Sequence, residues 1–197
     1  MEPLIAHAGW HLWAFVGAIA VTAVPQMNAR RRLQAGSGDD VRDRGSYQAV
    51  QLANTGGILV AALAAFRLER AAIIQEREAV FAAGLLLIVG SALLVMWTHA
   101  LLGRSFTVQV VVRDEQQIVE AGPYRWVRHP SYAFQMLGLV GFALVLCNWV
   151  SLAVLLVLPA LAYGYRMQVE ERALVEALGE RYASYMRRTR RLVPFVY

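Results

Sequence analysis

Residues 122–132 read Gly-Pro-Tyr-Arg-Trp-Val-Arg-His-Pro-Ser-Tyr, and they lie between a polar segment and a long apolar run. The glycine and the two prolines exclude a continuous helix through this stretch, and Pro130 also disfavours helical backbone at His129. A histidine, two tyrosines and two arginines therefore lie on irregular backbone at the edge of an apolar segment. Two interpretations follow: a binding site, or an interfacial loop whose aromatic rings and arginines contact lipid headgroups.

The composition of the chain is typical of a membrane protein. Of its 197 residues 58% are hydrophobic, the mean hydropathy is +0.44, and all nineteen basic residues are arginine. A net charge of +5 could indicate nucleic-acid binding, but the arginines cluster in loops between apolar runs, which is typical of a membrane surface. We therefore expect membrane lipids as partners and no nucleic acid. The single cysteine, Cys147, cannot form an internal disulfide.

The apolar runs predict about five transmembrane helices. They lie at 4–24, 49–66, 79–102 and 133–165. The third run is long enough to cross a hydrocarbon core of about 30 Å at about 1.5 Å per residue. The fourth is interrupted at Asn148 and again at Pro159, which predicts two helices of about fifteen residues each that form a tight hairpin.

We therefore predict an all-α integral membrane protein with two parts. Residues 1–102 form three N-terminal transmembrane helices, and residues 103–197 form one structural unit. That unit contains the loop with residues 122–132, which we call the motif loop, then the helical hairpin and a polar, mostly helical C-terminal tail from Arg166.

The arginines predict the orientation in the membrane. Sixteen of the nineteen lie in the loop at 28–48, in the segment at 103–131 or in the tail from Arg166, and these three segments share one side if the apolar runs alternate. The positive-inside rule then places the N-terminus outside, and the motif and the C-terminus in the cytoplasm. The absence of lysine favours a prokaryotic chain, and hence a prokaryotic plasma membrane.

Two histidines near the start of the chain are spaced as metal ligands can be. His7 and His11 are four residues apart, so they share a face of a helix. No cysteine or carboxylate joins them in the sequence. We therefore interpret them as interfacial residues and expect no metal site.

Two charged residues lie at the end of the last apolar run. Arg166 and Glu170 are four residues apart and share a helix face. A charge near membrane depth is costly, so it indicates a functional site by default. The alternative is an arginine that extends toward the interface and pairs with a glutamate of its own helix.

Taken together, these segments resemble a known family. The segments are residues 122–132, Leu146-Cys147-Asn148, Glu170-Glu171, the Gly-Glu-Arg-Tyr at 179–182 and the Arg-Arg-Thr-Arg-Arg-Leu-Val-Pro at 187–194. In this order and spacing they resemble the isoprenylcysteine carboxyl methyltransferases, which share a superfamily with the phospholipid N-methyltransferases. The resemblance covers about residues 103–197, and the earlier helices match only in being transmembrane.

The resemblance implies a cofactor, S-adenosylmethionine, in a cytoplasmic pocket made by the motif loop and the C-terminal helix. The cofactor-binding positions that it implies are Gln116, Gln117, Ile118, Val119, Tyr124, His129, Pro130, Ser131, Tyr132 and Glu170. Gln116 stands where the family usually has histidine, and an amide can still donate and accept a hydrogen bond. Arg166 matches the arginine that faces the methyl acceptor, so Arg166 and Glu170 are the implied catalytic pair.

The resemblance also implies the reaction, which is carboxyl O-methylation of an isoprenylcysteine-like substrate that enters from the bilayer. A carboxylate acceptor is already nucleophilic, and Arg166 would orient it. Two alternatives stay open at this stage. A phospholipid N-methyltransferase would need Glu171 or His129 to accept the amine proton, and a non-catalytic membrane protein could retain the fold. The sequence leaves the natural acceptor and the oligomeric state open.

Overall fold

The computed structural model describes residues 3–6, 9–31, 40–41, 43–73, 75–103, 111–112 and 118–193. Its helices are α1 (Trp10–Arg31), α2 (Ser46–Arg67), α3 (Arg77–Leu102), α4 (Pro130–Val145), α5 (Trp149–Leu178) and α6 (Glu180–Arg188). Short 3-10 turns lie at Leu4–Ala6, Glu69–Ala71 and Gly122–Arg125. Two strands of two residues, β1 (Asp40–Val41) and β2 (Val111–Val112), form an antiparallel pair that the all-α prediction did not include.

The helical membrane fold predicted from the apolar runs is confirmed. By length and composition α2, α3 and α5 can each cross a membrane, with 22, 26 and 30 residues. The apolar part of α1, Trp10–Val24, and the whole of α4 are shorter. Within the described residues, three helices therefore have the length and hydropathy of a membrane span, and two shorter apolar helices accompany them.

Two helices continue through prolines, and the break predicted at Pro159 is wrong. α1 continues through Pro25 to Arg31, and α5 continues through Pro159. A membrane helix tolerates an interior proline because neighbouring groups satisfy the freed backbone carbonyl. α5 is 30 residues long rather than about fifteen, because it continues beyond the apolar run to Leu178, and it carries Arg166, Glu170 and Glu171 on one continuous helix.

The break predicted at Asn148 is present. Asn148 begins α5, and its side-chain oxygen accepts hydrogen bonds from the backbone N–H groups of Val150 and Ser151, at 3.0 and 3.1 Å. Its amide nitrogen donates to the Leu68 carbonyl at 3.2 Å. The turn between α4 and α5 is thereby attached to the loop that follows α2, at the end of the bundle away from the motif.

Close packing joins the helices in two pairs. α3 approaches α4 at Gly84 and Gly141, where a Cβ atom on either residue would lie 2.8 Å from the carbonyl oxygen of the other. α2 packs along α5, where the Ser151 hydroxyl donates to the Ala61 carbonyl at 2.7 Å. α4 contacts both α3 and α5, and it links the two pairs into one core.

His11 has a carboxylate neighbour that its sequence context does not show. Its Nε2 atom lies 3.0 and 3.1 Å from the two carboxylate oxygens of Glu78, at the start of α3. His7 lies outside the described residues. The contact joins α1 to α3.

Candidate active site

The motif (residues 122–132) contacts the segment that follows α6. The Arg190 N–H donates to the Trp126 carbonyl at 2.9 Å, and the N–H groups of Arg128 and His129 donate to the carbonyls of Arg190 and Arg191, at 2.7 and 3.0 Å. These backbone bonds form a short parallel bridge between the motif and the chain after α6. The two segments that the sequence assigned to the site are therefore in contact.

Gly122 places the motif turn against the end of α3. Its φ angle is +57°, in the left-handed region that glycine adopts without strain. A Cβ atom there would lie 2.7 Å from Leu101 Cδ1 and 3.3 Å from the Trp97 ring. The backbone conformation therefore favours glycine, and a larger residue would also require the Leu101 side chain to shift.

One buried carboxylate joins the motif to the tail, and we call its surroundings the Glu171 cluster (Arg128, His129, Glu171 and Arg191). Oε1 of Glu171 accepts from Arg128 Nε at 2.8 Å and lies 3.3 Å from His129 Nε2. Oε2 accepts from Nε and Nη2 of Arg191, at 3.0 and 2.9 Å. Glu171 is 3% exposed, so its charge is compensated almost entirely by these neighbours.

Tyr132, in the first turn of α4, connects the remaining charged residues. Its ring stacks on His129 with the centroids 5.4 Å apart and the planes within 5°. Its hydroxyl donates to Glu170 Oε2 at 2.8 Å and accepts from Arg166 Nε at 3.0 Å. Glu170 keeps 30% of its side chain exposed, which gives the site a carboxylate that solvent or a ligand can reach.

Arg166 is buried and contacts the N-terminal half of the chain. Its Nη1 atom donates to Asp43 Oδ1 at 2.6 Å and to Ser46 Oγ at 2.9 Å. We call Asp43, Ser46, Tyr132 and Arg166 the Arg166 cluster. Asp43 and Arg166 are 5% and 4% exposed, so each charge has its counter-charge inside the protein.

Tyr124 contributes a buried hydroxyl to the site. The residue is 4% exposed, and its carbonyl accepts from the Tyr185 hydroxyl at 2.6 Å. The Ser131 and Thr98 hydroxyls lie nearby, yet within the described part of the chain the Tyr124 hydroxyl makes no hydrogen bond. Burial raises the pKa of this hydroxyl, so it stays protonated and can donate to a bound group.

The predicted site residues fall into three groups. Tyr124, His129, Tyr132, Arg166 and Glu170 have the contacts described above. Pro130 and Ser131 are buried in the first turn of α4, and Ile118 and Val119 are half-buried on irregular backbone before the motif turn. Gln116 and Gln117 lie outside the described residues.

Several contributors to the site could not be predicted from the sequence. Asp43 and Ser46 lie in or beside a polar loop that contains three aspartates and five arginines, and no spacing there singles out either residue. Arg128 and Arg191 belong to motif segments, but nothing in their sequence context predicts that they share one carboxylate. The contacts that define these residues join positions 20 to 123 apart in the chain.

Comparison with known proteins identifies the same family as the motif. Residues 82–176 match the family model described as the isoprenylcysteine carboxyl methyltransferase (ICMT) family. Protein-S-isoprenylcysteine O-methyltransferase B of Arabidopsis thaliana is 35% identical over 96 residues, which are 48% of this chain and 49% of the relative. The rat protein-S-isoprenylcysteine O-methyltransferase is 31% identical over 117 residues, which are 58% and 41% of the two chains.

A solved structure shares the fold over nearly the whole chain. The eukaryotic intramembrane Ras methyltransferase ICMT superimposes with a TM-score of 0.64 at 17% identity, covering 96% of this chain and 69% of that one. The chain spans about half the length of the curated relatives that it matches. The resemblance predicted from the motif is confirmed: this chain matches the isoprenylcysteine carboxyl methyltransferase family over residues 82–176, on a membrane fold that a solved ICMT shares.

Proposed function

We propose that this protein is an S-adenosylmethionine-dependent membrane methyltransferase that esterifies the carboxylate of an isoprenylcysteine-like lipid. The observation that carries the proposal is the bridge made by the Tyr132 hydroxyl between Glu170 and Arg166. An accessible acid and a buried guanidinium are held side by side where an apolar helix becomes polar. A cationic methyl donor and an anionic acceptor need these two charges at adjacent positions.

The residues present fit the cofactor. It carries an ammonium group and ribose hydroxyls, and Glu170 has exposed carboxylate surface that can accept hydrogen bonds from them. The Tyr124 hydroxyl, which makes no hydrogen bond within the described residues, can donate to a bound group, and the stacked rings of His129 and Tyr132 lie beside Glu170. Gln116, Gln117, Ile118, Val119, Pro130 and Ser131 complete the proposed lining. When bound, the cofactor supplies an electrophilic methyl group on sulfonium sulfur.

Arg166 would hold the acceptor, which enters sideways from the bilayer. A carboxylate can accept hydrogen bonds from the planar guanidinium, so its oxygen is aligned for in-line attack, and such alignment supplies much of the rate in a displacement. The acceptor oxygen needs no base because a carboxylate is already deprotonated. The protein's task is therefore to orient the reactants and exclude water.

The Glu171 cluster argues against Glu171 as the base that an amine acceptor would need. N-methylation requires a group that accepts the proton of the amine, and the sequence offered Glu171 or His129 for that role. Glu171 accepts hydrogen bonds from two guanidinium groups and has His129 beside it. Because those contacts stabilise its charged form, Glu171 is a poor proton acceptor.

We infer an orientation with the N-terminus outside and the site in the cytoplasm of a prokaryotic cell. The motif turn, the tail and the segment around Asp43 lie at one end of the bundle, and they belong to the three segments that contain sixteen of the nineteen arginines. A reporter enzyme that works only in the cytoplasm should be active when it is fused after Tyr197, and one that works only outside the cytoplasm should be inactive there. An external signal would contradict the orientation and the position of the cofactor site.

The decisive experiment is methyl transfer by the purified protein with labelled cofactor and two acceptors, a farnesylcysteine analogue and phosphatidylethanolamine. We expect label in a base-labile ester of the first. Label in the ethanolamine headgroup alone would establish the amine alternative. Absence of cofactor binding by calorimetry would indicate a non-catalytic membrane protein.

A further inference from the structure

Asp43 lies far from the matched region in sequence but contacts the centre of the proposed site. It precedes α2, outside residues 82–176, and it is 5% exposed. Its Oδ1 atom accepts from Arg166 Nη1 at 2.6 Å across 123 positions of the chain. A buried aspartate that forms a short charge-assisted bond to Arg166 has an effect on where that arginine points.

Asp43 is itself held rigidly. Its Oδ2 atom accepts from the Tyr47 N–H at 2.9 Å, and its Oδ1 atom also accepts from the Ser46 hydroxyl at 3.2 Å. The next residue along the chain, Arg44, is attached to α5 as well, because its carbonyl accepts from the Tyr165 hydroxyl at 3.0 Å. The segment before α2 is thus joined to α5 at two consecutive positions of each.

This arrangement constrains the plane of the Arg166 guanidinium. Asp43 and Ser46 accept from Nη1, and the Tyr132 hydroxyl accepts from Nε. Since a guanidinium is planar, acceptors at two of its nitrogens determine its orientation. Removing the negative charge of Asp43 would take a counter-charge from the buried cation and weaken one of the hydrogen bonds that determine its plane.

We propose that Asp43 is a positioning residue for methyl transfer, which orients the Arg166 guanidinium toward the acceptor. This inference rests on the function proposed above, and it assigns to the N-terminal half of the chain a part in acceptor recognition. Asp43 acts through Arg166, so its removal should affect use of the acceptor and leave the cofactor nearly undisturbed.

The test is a set of variants assayed for acceptor kinetics, cofactor affinity and thermal unfolding in one detergent. Asp43→Asn should lower kcat/KM for the acceptor about tenfold or more, since small misplacements of a positioning group are costly. Its cofactor Kd should stay within about threefold of the wild-type value, a change of about 0.7 kcal/mol at most. Asp43→Glu, which keeps the charge, should retain more activity than Asp43→Asn. Glu180→Gln, which removes the partner of exposed Arg187, is the matched control and should behave as wild type.

A double-mutant cycle separates positioning from a structural role. In an Arg166→Lys background, Asp43→Asn should cost far less than in the wild type, because both changes disrupt the same interaction. An equal cost in both backgrounds, or a lower acceptor KM with undiminished kcat, would overturn the proposal. Ser46→Ala provides an independent variant that leaves no unpaired charge, and it should reduce kcat/KM in the same direction. If Asp43→Asn does not fold, wild-type kinetics in both Asp43→Glu and Ser46→Ala would overturn the proposal.

The outcome for Asp43 is distinguishable from the outcome for the proposed function. If the wild-type protein methylates phosphatidylethanolamine and not the farnesylcysteine analogue, the carboxyl-transferase function is wrong. The double-mutant cycle of Asp43 and Arg166 is then measured with phosphatidylethanolamine as the acceptor. If the wild-type protein esterifies the analogue and Asp43→Asn does so equally well, the function stands and the positioning role of Asp43 is wrong.

Discussion

The Glu171 cluster and the Arg166 cluster are each built around one buried charge, and they differ in what surrounds it. Glu171 accepts hydrogen bonds on both carboxylate oxygens from two arginines and lies beside His129. Arg166 also has a counter-charge, Asp43, but it is linked through the Tyr132 hydroxyl to Glu170, which is partly open. A buried charge whose hydrogen-bonding atoms are all paired within the protein holds segments of the chain together. A buried charge that is linked to a solvent-accessible group can respond to a ligand bound there. We therefore interpret the Glu171 cluster as the scaffold and the Arg166 cluster as the reactive part.

Glu171→Ala should have the largest effect on stability. It leaves Arg128 and Arg191 without their shared carboxylate, and breaking a buried ion pair on one side costs about 3 to 5 kcal/mol. Denaturant titration in detergent measures the loss. Glu170→Ala is the matched control, because it is one residue away on the same helix but only partly buried. It should weaken the cofactor while changing stability little. Equal destabilisation by both changes would remove the distinction between the two clusters.

Arg166→Lys and Arg166→Ala should each lower turnover about 100-fold, because both remove the planar guanidinium group that orients the acceptor. The cofactor Kd should change less than about threefold, which corresponds to less than about 0.7 kcal/mol. Single-turnover rates beside calorimetric binding check both expectations. Normal turnover in Arg166→Ala would show that the guanidinium does not hold the acceptor and would favour the amine alternative.

Tyr124→Phe should weaken cofactor binding about tenfold, or about 1.4 kcal/mol. The same change should leave the folded protein as stable as before or slightly more stable, since the hydroxyl is buried without a partner in the described chain. Calorimetry and thermal unfolding measure the two effects. The opposite pattern, lower stability with unchanged affinity, would make Tyr124 part of the scaffold. His129→Ala should weaken the cofactor as well, but it also removes a neighbour of Glu171.

Arg188→Gln should have the smallest effect on the free energy of unfolding. Arg188 forms a two-pronged ion pair with Glu120 at 3.1 Å, next to the Glu171 cluster, but the side chains are 58% and 43% exposed. Exposed pairs contribute about 1 kcal/mol or less because solvent screens them. Thermal unfolding at low and high salt measures the contribution of this ion pair to stability. A loss as large as that of Glu171→Ala would mean that surface charges, rather than the buried carboxylate, hold the tail to the motif.

Several residues that the family motif indicates lie together in the structure, for a local physical reason. His129 and Tyr132 lie three residues apart around Pro130, where the chain enters α4, so their stacking follows from short-range geometry. Arg166 and Glu170 share a helix face because they are one turn apart on α5. Asp43 could not be predicted in the same way, because its partner is 123 positions away and several other acids and arginines lie in the same loop.

The amino-acid sequence by itself determined that this is a helical membrane protein, because long apolar runs can satisfy their backbone groups in lipid only as helices. It also determined the motif turn, since glycine and proline restrict the backbone through local sterics. The tertiary structure alone decided that α5 passes through Pro159 and that Glu171 joins the motif to the tail. It also decided that Asp43 compensates Arg166. These outcomes depend on which distant charges meet when the helices pack, and burial makes an unpaired charge too costly to leave.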